Sequence, residues 1–132
     1  MACTSENGIQ MRKEIDKVKF TQVRHMPDSS KYKPKGYASW MGFWKDKMAA
    51  STRLPINDIS YCYCCKKNKT DFVGGHVISK DEEKYICPIC KECNDMAKEK
   101  NEYSERHFSV PSQLLVEFYP KHDADIVENQ KE

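Results

Sequence analysis

Six of the seven cysteines fall in one stretch, CYCCKKNKTDFVGGHVISKDEEKYICPICKECN, between residues 62 and 93. Thiolates two residues apart can reach one ion from a tight turn, and two such pairs close a tetrahedral site. That pattern constrains the fold more than anything else in the chain. With 132 residues the protein has room for one small domain and a modest core, so a structural metal would contribute much of its stability. No apolar run is long enough for a membrane span. The N-terminal MACTSENGIQMRK lacks the apolar stretch of a secretory leader. The expectation is therefore a reducing, cytoplasmic setting, where clustered cysteines bind metal more often than they form disulfides.

The pairs that suit one ion are Cys62–Cys65 with either Cys87–Cys90 or Cys90–Cys93, and Cys64 adds a further choice. DFVGGHVIS and EKYICP read as two strands of a hairpin, which places Cys87 inside or just after the second strand. Cys90 and Cys93 then open the helix that follows, where backbone N–H groups and the helix dipole favour thiolates. The expected ligands are Cys62, Cys65, Cys90 and Cys93, around one structural Zn²⁺. Knuckle, hairpin and a helix with ligands on its first turn describe a treble clef. The fold class expected is α+β, a small zinc-stabilised ββα module with an N-terminal helical and aromatic extension. Cys3, Cys64 and Cys87 remain as ordinary thiols, with His76 a lesser candidate to replace one of the cysteines.

Outside this stretch, residues 1–8 read as a tail. Residues 9–55 form a basic, aromatic-rich region expected to pack on the module at 56–119, and residues 120–132 read as a loose acidic tail. Residues 9–24 suggest a helix passing into a short strand, and PDSSKYKPKGY a loop. In SWMGFWKDKMAAS, Trp40, Phe43, Trp44 and Met48 recur at three- and four-residue spacing. That periodicity predicts an amphipathic helix capped by Ser39, its aromatic stripe packed as core. CNDMAKEKNEYSE predicts a polar helix, and HFSVPSQLLVEFYP a short strand or helical turn.

CYCC…VGGHV…YICPICKECN resembles the HNH-endonuclease family of treble-clef fingers, in a degenerate branch, over about residues 60–110. The resemblance implies a nuclease centre in which His76 acts as general base and Asn94 supplies a helix position. A Mg²⁺ ion would be bound beside the base if the site is active. Other parts of that set are missing. Gly75 stands where the family carries a metal-binding Asp or His, and the connection SKDEEK has no Asn to orient the base. Asp81, Glu82 and Glu83 could attract a cation, but they would also repel a phosphodiester. His107 fits no family spacing. The reading is a zinc scaffold whose His76 is structural, its imidazole hydrogen-bonded to the knuckle backbone.

Residues 1–70 carry 14 Lys+Arg against 6 Asp+Glu, while residues 71–132 carry 8 against 14. A basic half suits nucleic acid or an acidic partner. The candidate phosphate contacts are Lys31, Lys33, Lys35, Lys45 and Lys47, with Lys66, Lys67 and Lys69 on the knuckle, and interleaved aromatics could stack on bases. The expected function is non-catalytic nucleic-acid binding, DNA in particular. An HNH-type nickase is the first alternative. The second is an adaptor or inhibitor that contacts a nucleic-acid enzyme through the acidic half.

Overall fold

The structure, a computed structural model, describes residues 19–27, 29–51, 59–97 and 102–126. In chain order the elements are β1 (Phe20–His25), β2 (Tyr32–Pro34), α1 (Trp40–Ser51), β3 (Tyr61–Cys62), β4 (Lys67–Asn68), β5 (Phe72–Ser79) and β6 (Lys84–Cys90). Then follow α2 (Lys91–Met96), α3 (Glu102–Glu105), β7 (Phe108–Pro111), β8 (Val116–Glu117), α4 (Pro120–Asp123) and β9 (Ala124–Ile126). Five strands form one antiparallel sheet in the order β7-β1-β5-β6-β8. Two smaller pairs, β2–β9 and β3–β4, stand beside it.

The β5–β6 hairpin is the centre of the molecule, and its register assigns each side chain a face. Gly75 pairs with Cys87, His76 with Ile86 and Val77 with Tyr85. Because side chains alternate along a strand, Val77 and Cys87 share one face while His76 and Ile86 share the other. Two cores follow. Val23, Val77, Cys87, Ile89, Phe108 and Val110 pack with Cys62 and Cys90. Trp40, Phe43, Trp44, Met48 and Phe118 pack with Ile86 and Ala124.

Helix α1 forms where its periodicity predicts. The Ser39 hydroxyl accepts from the Gly42 N–H at 3.0 Å, and the Ser39 carbonyl from the Phe43 N–H at 3.1 Å. Its indoles are buried with their N–H groups satisfied: Trp44 donates to the Leu114 carbonyl at 2.8 Å and Trp40 to the Tyr32 carbonyl at 3.2 Å. Gly74 lets the helix rest on β5, since a Cβ there would lie 2.5 Å from the Trp40 carbonyl carbon.

Several expectations change. Residues 120–126 are not a loose tail: they form α4 and β9, and β9 pairs with β2. PDSSKYKPKGY contains a strand, β2, because β9 supplies its partner. The polar helix after the cysteines is two short pieces, α2 and α3, the first ending at Ala97. Segment HFSVPSQLLVEFYP gives strand β7, one turn of 3₁₀ helix at Ser112–Leu114, and strand β8. Strand β1 inserts between β5 and β7, so the N-terminal region contributes to the sheet itself. The expected tail at 1–8, the helical start of residues 9–18, Cys3 and residues 127–132 lie outside the described residues.

Candidate metal centre

Three elements bring four cysteines together. The knuckle pair comes from β3 and the turn into β4. Cys62 ends β3, and its carbonyl accepts from the Lys66 N–H at 2.6 Å. Lys66 has φ 62°, the left-handed value that turns the chain from the knuckle into β4. The other pair comes from the strand-to-helix junction. Cys90 closes β6 and is also the N-cap of α2, accepting from the Cys93 N–H at 3.4 Å. The Sγ atoms of Cys62, Cys65, Cys90 and Cys93 all lie within 4.8 Å of one another. Cys62–Cys93 and Cys65–Cys90 are each 4.0 Å apart.

Such spacing suits four ligands of one tetrahedral ion, whose thiolates sit at about 2.3 Å from zinc. The surroundings fit thiolates in part. Burial works against the Cys62 anion, but the amides of Cys90, Cys65 and Cys64 outweigh it and hold its pKa below the ordinary thiol value. Burial first, then the neighbouring thiol, pushes Cys93 well up, and burial raises Cys90. A cation at the centre favours the deprotonated form of all four. The donor set is all sulfur, the chemistry of a closed structural site.

Of the remaining thiols, Cys87 is fully buried within β6, and burial raises its pKa. Cys64 is half-buried, with Sγ 3.5 Å from His25 Nε2. Burial raises the Cys64 thiol to about 11 and lowers buried His25 to about 4. The two therefore rest as a neutral thiol and a neutral imidazole. Nothing in the sequence marks His25; only the β1–β5 pairing brings it beside the knuckle.

His76 is on the other face of the hairpin, away from the knuckle backbone. Its ring meets Trp40 edge-on at 4.8 Å and Phe118 at 5.2 Å, and Tyr32 lies 6.3 Å away. Nε2 is buried with no hydrogen-bond partner, and burial lowers the pKa to about 4. The expected bond to the knuckle is replaced by aromatic packing. His76 does share a cavity of about 220 Å³ with Asn94 and His25. A side chain at position 75 would force Ile89 to move, because a Cβ there would meet Ile89 Cδ1 at 2.4 Å and Cγ1 at 2.9 Å. Asp81, Glu82 and Glu83 occupy the turn at the far end of the hairpin from Cys90. Seven residues of β6 separate the two ends by about 20 Å. His107 is exposed and does not border the His76 cavity.

The lysines are spread over three elements: Lys31, Lys33 and Lys35 around β2, Lys45 and Lys47 on α1, and Lys66, Lys67 and Lys69 on the knuckle. Lys33, Lys45, Lys47, Lys66 and Lys67 are exposed. Lys35 pairs with Asp125 at 3.8 Å and Lys69 with Glu92 at 2.9 Å. Trp40, Phe43 and Trp44 are core residues, so the aromatics of α1 are not a free stacking surface.

No family model matches the chain, and no curated protein or solved structure matches it. Among the described residues no helix is long and apolar enough to cross a membrane.

Proposed function

We propose that the chain is a structural zinc protein that binds nucleic acid without cutting it. The observation that carries the zinc assignment is the cluster of four Sγ atoms within 4.8 Å, two from the knuckle and two from the first turn of α2. Together with the intervening hairpin, the order knuckle, hairpin, helix supports reading the module as a treble clef of the HNH-like type. Loss of cutting is supported by two packing facts. Ile89 fills the space that a metal ligand at position 75 would need, and His76 Nε2 is sealed from solvent. The nucleic-acid part rests on the exposed lysines of the knuckle, β2 and α1. Zinc analysis with chelator titration tests the first part. A salt titration of DNA binding tests the second: affinity should fall steeply as salt rises, and no binding at low salt contradicts it.

One observation favours a nuclease instead: His76 and Asn94 border the same cavity. Nicking of supercoiled plasmid with Mg²⁺ or Mn²⁺ that disappears in His76→Ala, with zinc content unchanged, would establish that reading.

A further inference from the structure

The cavity beside His76 has walls suited to a flat ring. Tyr32 and His76 both line it, with ring centroids 6.3 Å apart and planes inclined by 34°. Trp40 also lines the cavity, edge-on to His76 at 4.8 Å, and Phe118 packs edge-on against both rings, at 5.5 Å from Tyr32 and 5.2 Å from His76. The wall separation is just under twice the contact distance of about 3.5 Å between carbons. Tyr32 belongs to a three-residue strand paired only with β9, so the further opening a ring needs requires no change in the main sheet. The lining also carries hydrogen-bonding groups: the Asn94 amide and the hydroxyls of Ser29 and Ser30. A volume of about 220 Å³ is below the usual range for drug-sized ligands, about 300–1,000 Å³, and matches a single ring system.

We infer that this cavity is a pocket for one unstacked nucleobase, held between Tyr32 and His76 and read on its edge by Asn94. This deepens the nucleic-acid reading above and rests on it: lysines hold the strand by its phosphates, and the pocket takes one base out of the stack. An amide offers a donor and an acceptor side by side, which matches the N6/N7 edge of adenine.

The test uses the full chain and two single-stranded probes of equal length, one of adenine nucleotides and one with abasic sites. The expected result is about 10-fold tighter binding of the adenine strand. Tyr32→Leu and Asn94→Ala should each remove that difference and leave the salt dependence unchanged. Zinc content confirms that Asn94→Ala, next to Cys93, keeps its fold, and Tyr32→Leu lies away from the cluster. Equal binding of the two strands by the parent, or a difference that survives in both variants, overturns the pocket. Adenosine alone, followed by NMR shifts of the Asn94 side-chain amide, separates the two claims. Adenosine shifts without strand binding support the pocket and overturn the nucleic-acid reading. Strand binding that ignores the base, with no adenosine shifts, overturns only the pocket.

Discussion

The two faces of the β5–β6 hairpin are held by different chemistry. One carries the cysteine cluster, whose knuckle and short α2 lie against a core of Val23, Val77, Ile89, Phe108 and Val110. The other carries α1, with Trp40, Phe43, Trp44 and Met48 packed on Ile86 and Phe118. On the proposed reading, the knuckle and α2 of the first face depend on a bound metal ion, whereas the second face depends on buried area alone. The contrast explains how the small knuckle and the six-residue α2 can be ordered at all: neither buries enough to fix itself. It also predicts that the faces fail separately.

The largest effect should follow loss of the metal. Cys90→Ser removes a ligand and the N-cap of α2 at once, and structural zinc of this kind contributes on the order of 10 kcal/mol. Circular dichroism and limited proteolysis should show the knuckle and α2 unfolded in Cys90→Ser and in chelator-treated protein. Cys87→Ser should keep its zinc, since Cys87 lies outside the cluster.

Next in size is Trp44→Ala on the aromatic face. Removing a fully buried Trp costs about 3–5 kcal/mol, yet the four thiols are untouched. Denaturant unfolding should report the loss while zinc content stays at the parent level. If Trp44→Ala releases zinc under native conditions, the two faces are one unit and the contrast fails.

His76 sharpens the comparison through pH. Its folded pKa of about 4 lies below the ordinary 6.5, so between those values the unfolded chain binds the extra proton. The stability it contributes is present above pH 6.5 and is lost as pH falls toward 4, by on the order of 3 kcal/mol. His76→Phe should escape this loss and also remove a buried polar atom without a partner. The difference in unfolding free energy between variant and parent should therefore widen in favour of the variant from pH 7 to pH 4.5. A constant difference would mean that the ring is not buried as a neutral imidazole.

The smallest effect concerns the surface. Lys66→Ala with Lys67→Ala should leave stability nearly unchanged and reduce the salt slope of DNA binding by roughly two. An unchanged slope would remove the knuckle from the interface.

Much of this arrangement was legible in the residues. The cysteine spacing and the hairpin pattern singled out Cys62, Cys65, Cys90 and Cys93, because ligand geometry is a local constraint and the pairs sit on turns. Helix α1 was legible for the same reason, its stripe and its Ser39 cap both lying within a few residues. What escaped was non-local. Strand β9 is only three residues long, and nothing in Ala124–Ile126 announces a strand until Tyr32–Pro34 is beside it. The surroundings of His76 depend on Phe118, 42 residues away in sequence. Gly75 looked like a missing ligand, and the structure adds that Ile89 occupies the place where one would stand.

X-ray absorption at the zinc edge, on full-length protein with its metal quantified, tests the central claim most directly. The account predicts one zinc per chain with four sulfur neighbours at about 2.3 Å and no nitrogen. Less than half an equivalent of zinc, or a first shell containing imidazole, would contradict it.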